Sequence, residues 1–147
     1  MPQLSLHSPL GALTLSQEEE GLVALDWGWG CSQQETALLR LARTQLHAYF
    51  DHELDAFDLP LAPSGTDFRL KVWDALQRIP FGVTRTYADI ASEVGGCARA
   101  VGQANRYNPL PILIPCHRVV ARTGIGGFTG EGGIDTKLFL LDHERTH

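Results

Sequence analysis

The sequence predicts an α+β protein, with a small N-terminal lobe of β-sheet and helix packed on a mostly helical C-terminal domain that carries a helix-turn-helix-like motif. Three observations predict it. Short apolar runs divided by turn-forming residues fill the first thirty positions. Helical spacing of apolar side chains dominates after residue 66. Between them, Phe57 to Gly65 is rich in Pro, Ser and Gly and has the composition of a linker. The expected domains are therefore residues 1–62 and 63–147.

Within the first domain, Leu13–Leu15 and Leu22–Leu25 flank a turn-like acidic segment from Ser16 to Gly21, which predicts a hairpin or meander. Trp27 and Trp29 alternate with Gly28 and Gly30 and mark a strand end or a bulge. Residues 34–50 are expected to be helical, with Leu38, Leu41, Gln45, Leu46 and Tyr49 near helical spacing. Beyond the linker, Thr66 is a suitable N-cap for a helix whose apolar face is Phe68, Val72, Trp73, Leu76 and Ile79. Pro80-Phe81-Gly82 stops it.

Thr86 and Asp89 have the spacing of a capping box and open a short helix through Glu93. Gly95-Gly96 breaks that helix, and Ala98–Arg106 forms a second one, ending before Asn108-Pro109. Two short helices joined by a tight glycine turn are a helix-turn-helix candidate. The apolar segment Pro111–Pro115 is expected to be buried and extended, leading into a turn. Residues 124–133 form a glycine-rich loop. A final helix from about Asp135 to Glu144 is expected to bury Leu138, Leu141 and Phe139.

Composition sets the class. Of 147 residues, 44% are hydrophobic and 20% charged, the balance of a globular protein with a real core. No apolar run approaches the ~18 residues of a membrane helix, and Met1 to Leu10 lacks a signal-peptide pattern. A cytoplasmic protein is expected. Cys31, Cys97 and Cys116 make an odd count with no CxxC pair, which points to reduced thiols and to no metal site.

The net charge of −5 is unevenly spread. Residues 69–122 carry Arg69, Lys71, Arg78, Arg85, Arg99, Arg106, Arg118 and Arg122 against Asp74, Asp89 and Glu93, which makes that third locally +5. A surface facing a polyanion and solvated faces that merely differ in sign both fit this distribution.

The chemistry concentrates in Pro115-Cys116-His117-Arg118. A cysteine attacks as its thiolate, and a neighbouring imidazole or guanidinium favours ionisation. An arbitrary Cys-His pair is more often a structural cysteine beside a surface histidine. In an extended strand the two side chains would point to opposite faces. Cooperation between them therefore requires the segment to turn or a water to relay the proton.

The stretch from Pro111 to Val120 resembles the active-site signature of the O6-alkylguanine-DNA alkyltransferases. The likeness extends, in order, through Phe57–Leu61, Gly65–Trp73, Ile79–Gly82, Thr86-Tyr87, Ala98–Gly102, Asn108-Pro109 and Lys137–Glu144. It covers residues 57–144 well and the N-terminal lobe loosely.

The resemblance implies direct repair of double-stranded DNA containing O6-alkylguanine, with O4-alkylthymine as a further possible substrate. Cys116 would be the acceptor, used once, without metal or cofactor. His117 would deprotonate it through water, Glu144 would orient the imidazole, and Asn108 would stabilise the turn at the cysteine.

Because the alkyl group lies inside the duplex, the base must be extruded. The resemblance gives Tyr87 the crowding of the flipped nucleotide, Arg99 the vacated stack and Arg106 a phosphate contact. Val119 would offer its carbonyl to the base, and Thr129, in a loop closing over the guanine, a hydrogen bond near the lesion. On the second short helix Ala98, Ala100 and Gly102 leave little bulk. A lean helix suits close approach to a minor groove, and it equally suits tight helix–helix packing. A monomer is expected.

The chain departs from the pattern at three places. The turn Gly95-Gly96-Cys97 is shorter than the family's usual one, Phe128 stands where tyrosine is common, and Glu131 puts a negative charge in the loop. There is no N-terminal ligand set like the zinc site of some relatives. Three other readings compete. A thiol hydrolase would need an oxyanion hole and acyl pocket that cannot be assigned. A non-catalytic lesion sensor would lack the acceptor cysteine. A redox-sensing DNA-binding regulator would use Cys97 and Cys116.

Overall fold

Strands β1 (Gln3–Ser8), β2 (Gly11–Glu18) and β3 (Gly21–Trp27) form an antiparallel meander in the order β1-β2-β3. They belong to a computed structural model that describes residues 1–124 and 133–145. The chain divides into two compact units, Met1–Ser64 and Gly65–His147. The class is the α+β arrangement expected, a small sheet lobe plus a helical domain. Among the described residues no helix is long and apolar enough to cross a membrane.

In the first unit, β1 pairs Leu4 with Leu15 and Leu6 with Leu13, placing alternate leucines on one face. Helix α1 (Ala37–Phe50) covers that face with Leu39, Ala42, Leu46, Tyr49 and Phe50. Each such large apolar side chain contributes roughly 1.5–3 kcal/mol on burial. The helix begins at Ala37, not residue 34, because Thr36 caps it by accepting the Leu39 N–H. Leu46 and Tyr49 are buried as expected, but in the first half of the helix Leu39 and Ala42 face inward in place of Leu38 and Leu41, and Leu41 is exposed.

The opposite face of the sheet is polar yet covered. Ser5 and Thr14 are buried and bonded to each other at 2.8 Å, Thr14 donates to the Gly28 carbonyl, and Gln33 donates to Ser5. This network holds residues 28–33 against the strands, so the segment after Gly28 (φ +105°) is an ordered cover. The linker also pairs locally: Leu22 donates to Pro60 and Ala62 donates to Leu22, adding Leu61 beside β3.

In the second unit, helix α2 (Asp67–Gln77) starts at the expected cap Thr66 and buries Val72, Trp73, Ala75 and Leu76. Phe68 is only half-buried. The Trp73 indole donates to the Ala104 carbonyl at 2.9 Å, tying α2 to α4 (Ala98–Arg106). Strand β4 (Arg85–Thr86) leads directly into α3 (Tyr87–Val94), which carries the complete Thr86/Asp89 capping box. Gly95 ends α3 in the left-handed conformation, and a side chain at Gly96 would meet the Phe68 ring at 2.8 Å. The tight turn between the two helices therefore requires both glycines.

Two expectations fail here. Pro111–Pro115 is buried but not extended: Ile112 has φ +75° and the Ile114 N–H donates to Leu110 at 2.8 Å, so the segment is a tight turn. Helix α5 (Ile134–Arg145) exposes Leu138 and Phe139 and leaves Leu141 half-buried. It buries Thr136, Lys137, Leu140, His143 and Glu144 instead. Its inward face is chosen by polar partners at the nucleophile, not by apolar periodicity.

Candidate active site

Cys116 opens a single 3-10 turn, Cys116–Arg118, and the turn runs into β5 (Val119–Val120). That strand pairs in parallel with β4, aligning Arg85 with Val119 and Thr86 with Val120. The pairing brings Tyr87, the first residue of α3, close to the nucleophile's segment. Asn108, just beyond α4, accepts the Leu110 N–H at 3.0 Å and donates to the Ile114 carbonyl at 2.9 Å. One side chain thus closes the loop that delivers the cysteine. Asn105, one turn earlier, donates to the Cys116 carbonyl at 3.4 Å.

The Cys116 thiol is buried, and burial pushes its pKa up to about 11. The Asn108 hydrogen bond and the Lys137 charge oppose that rise. At neutral pH the resting group is therefore a thiol, and attack requires a base.

His117 is fully buried. Its Nε2 donates to Glu144 Oε2 at 2.7 Å. Nδ1 has no hydrogen-bonding partner among the described residues. Burial lowers the imidazole's pKa; Glu144 works against this, and the charges of Arg118 and Lys137 add to it.

Glu144 receives further donors. Arg118 grips both carboxylate oxygens, Nε to Oε1 at 2.8 Å and Nη2 to Oε2 at 2.9 Å, and its Nη1 donates to the Ile79 carbonyl at 2.7 Å. The Gly82 N–H reaches Oε1 at 3.3 Å. Burial alone would raise the Glu144 carboxyl, but its bonds to His117 and Arg118 hold it well below the usual carboxylate range.

Lys137 is also fully buried, one helical face along α5 from Glu144. Its ammonium donates to the Val119 carbonyl at 2.7 Å and lies 5.8 Å from the Tyr87 ring. Burial lowers its pKa to about 8, against the attraction of the Cys116 thiolate.

The turn therefore gathers Cys116, His117, Glu144, Asn108 and Val119. Arg99 and Arg106 are exposed on α4, as is Ala98, while Ala100 is half-buried. Among the described residues, a side chain added at Gly102 would meet nothing within 4 Å. The lean stripe of α4 is therefore not packed against another helix there, whereas Ala104 is buried and does face the core. Thr129 lies outside the described residues, as do Phe128 and Glu131.

Three contributors were not singled out from the sequence: Arg118 as a partner of Glu144, Lys137 and Asn105. The spacing of Lys137 and Glu144, seven apart on one helix, carried a signal for the second. The basic segment is also thinner at the surface than its tally, since Arg118 is internal and Arg78 is paired with Asp74 and Glu93. Among the described residues no cluster of three or more His, Cys, Asp or Glu is arranged to hold a metal ion.

Comparison with known proteins gives a consistent result. Residues 67–146 match the family model described as the DNA binding domain of 6-O-methylguanine DNA methyltransferase, and residues 4–63 match that family's ribonuclease-like domain. The constitutive methylated-DNA–protein-cysteine methyltransferase of Bacillus subtilis is 45% identical over 95% of this chain and 92% of its own. The Methanosarcina acetivorans methylated-DNA–protein-cysteine methyltransferase is 43% identical over 94% of each. Among solved structures, Mycobacterium tuberculosis OGT in complex with DNA superposes with a TM-score of 0.88 at 40% identity, covering 99% of this chain and 94% of that one.

Proposed function

Because the chain belongs to the 6-O-methylguanine DNA methyltransferase family, we propose that it repairs DNA by moving the alkyl group of O6-alkylguanine directly and irreversibly onto Cys116. The observation that carries this reading is the buried carboxylate–imidazole pair fixed next to a buried thiol, with His117 Nδ1 unpartnered among the described residues. The thiol proton passes to Nδ1 through a water, since Nε2 is committed to Glu144. The thiolate then attacks the alkyl carbon in line. The S–C bond forms as the C–O6 bond breaks, and the electron pair leaves with guanine, which takes up a proton. The thioether has no route back to a thiol, so each molecule acts once. No step calls on a metal or cofactor.

The lesion reaches Cys116 only as an extruded nucleotide, because the thiol is buried. Tyr87 crowds the flipped nucleotide and Arg99 fills the vacated stack. Arg106 meets a phosphate, while Ala98, Ala100 and Gly102 let α4 approach the minor groove. The Val119 carbonyl, already fixed by Lys137, keeps a second lone pair for the base. Thr129 is assigned a hydrogen bond near the lesion, and O4-alkylthymine is a further substrate. The protein acts as a monomer in the cytoplasm.

Mass spectrometry of the protein after mixing with a duplex containing one O6-methylguanine tests the reading. One added methyl on the Cys116 peptide is expected; binding of the duplex with unchanged mass would mean a lesion sensor instead.

Two further outcomes follow for α4. Arg99→Ala should slow repair in duplex DNA by about 10-fold or more while leaving alkylation by free O6-benzylguanine within about 2-fold, because only the duplex route needs extrusion. Equal losses would remove Arg99 from that role. In Gly102→Leu the added Cβ meets nothing within 4 Å among the described residues and a poor helix former is replaced, so thermal stability should hold or rise by up to about 1 kcal/mol. Duplex binding should weaken at least about 10-fold, read by anisotropy titration. Unchanged affinity would place the groove elsewhere.

A further inference from the structure

The third residue of the turn is more than a neighbour of the nucleophile. Arg118 is buried, and each of its three nitrogens donates a hydrogen bond: Nε and Nη2 to the two oxygens of Glu144, and Nη1 to the Ile79 carbonyl. The Ile79 bond anchors the guanidinium independently of the carboxylate. Glu144 is therefore both oriented and neutralised before His117 is considered.

This matters because of what the carboxylate would otherwise do. A buried carboxylate with an imidazole as its main partner draws a second proton onto the ring and forms an ion pair. An imidazolium has hydrogens on both nitrogens and cannot accept one from a thiol. With Arg118 in place, the Arg118–Glu144 pair carries no net charge, and Oε2, already accepting from Arg118 Nη2, needs from the imidazole only the Nε2–H it receives.

We propose that Arg118 is a positioning residue that sets the protonation state of His117: by clamping Glu144 it keeps the imidazole neutral, with its proton on Nε2 and its Nδ1 lone pair open towards the thiol. The inference rests on the reading that His117 takes the Cys116 proton. Among the described residues, the charged groups acting on His117 are Glu144 and Lys137 of α5 and Arg118 of the same turn, with Cys116 its neighbour in sequence; Tyr87 of α3 stands behind Lys137. Lys137 cannot substitute for the clamp, because its ammonium is bonded to the Val119 carbonyl. Its pKa of about 8 keeps it mostly charged below about pH 7, and it loses charge only as pH 8 is approached.

The sign of the effect distinguishes this role from a merely structural one. Removing Arg118 leaves Glu144 to pair with His117 alone, so the imidazole holds its proton to higher pH. The base form then appears only at higher pH. The experiment is the pH dependence of Cys116 benzylation by free O6-benzylguanine, below about pH 8, for wild type, Arg118→Met and Arg118→Lys. The acidic limb of the rate profile should move up by about 1–2 pH units in Arg118→Met. It should move less in Arg118→Lys, which keeps the charge but not the fork. A uniform loss of rate with an unshifted limb in Arg118→Met would overturn the inference.

Nitrogen-15 chemical shifts of His117 provide a measurement that does not depend on a variant folding. Wild type at neutral pH should show a neutral ring protonated on Nε2, and an imidazolium or an Nδ1–H tautomer would contradict the proposal. Failure of the wild type to take up any benzyl group would instead refute the transferase reading. The nitrogen shifts would still decide the protonation state.

Discussion

Glu144→Ala is expected to cost about 3–5 kcal/mol of stability, because it leaves a buried guanidinium without its anion. Against the 5–15 kcal/mol that typically separates folded from unfolded domains, this is a large fraction. The same change removes the acceptor that fixes His117, so alkyl transfer by whatever protein remains folded should fall at least about 100-fold. Denaturant melts and single-turnover transfer rates measure the two effects separately.

The pH dependence carries its own sign. The folded-state pKa of Glu144 is depressed, so its contribution is complete above the ordinary carboxyl range and fades as pH falls through the depressed value. The stability gap between wild type and Glu144→Ala should therefore be flat near neutrality and narrow only in acid. A gap below about 1 kcal/mol at neutral pH would mean that Arg118 finds other partners.

Cys116→Ala should abolish transfer altogether while leaving the fold in place. The thiol contributes no strong hydrogen bond to the turn, which is held by Asn108, by the Ile114 carbonyl accepting the Cys116 N–H at 2.7 Å, and by the β4–β5 pairing. The loss of stability should stay near 1 kcal/mol, the cost of a small cavity. Lesion-containing duplex should still bind with wild-type affinity, because extrusion and groove contacts do not involve the sulfur. Residual methyl transfer in this variant, to Cys31 or Cys97, would move the acceptor to one of the exposed thiols.

Much of this architecture was legible in the sequence, and the exceptions have a common cause. Local chemistry located the caps at Thr66 and Thr86, the Gly95-Gly96 break and the extent of α4, because each depends on residues within one or two turns of itself. The apolar stripe of α1 differs from the expected one only in its first half, since Leu38, Leu39, Leu41 and Ala42 offer two overlapping faces and only the sheet decides between them, whereas Leu46 and Tyr49 are buried as expected. Helix α5 was read by hydrophobicity, yet its inward face holds Lys137 and Glu144 because Val119, His117 and Arg118 receive them. Arg118 counted as surface charge for the same reason: its partner lies 26 positions away. The Pro111–Pro115 segment looked extended because prolines suit extension, but the Asn108 side chain and left-handed Ile112 bend it.

The N-terminal unit shows the same division. Its strands were visible as apolar runs, while β1 and the cover over Ser5 and Thr14 were not, because serine and threonine do not advertise burial. Those two hydroxyls satisfy one another and the 28–33 segment, which is a tertiary fact rather than a local one.

The most direct test is a titration of the protein with increasing amounts of duplex carrying one O6-methylguanine each, counting restored guanines per protein molecule and mapping the methyl. Single use of Cys116 predicts a plateau at one restored guanine per molecule, with every methyl on the Cys116 peptide. Continued repair beyond one per molecule, or a methyl found on any other residue, would contradict it.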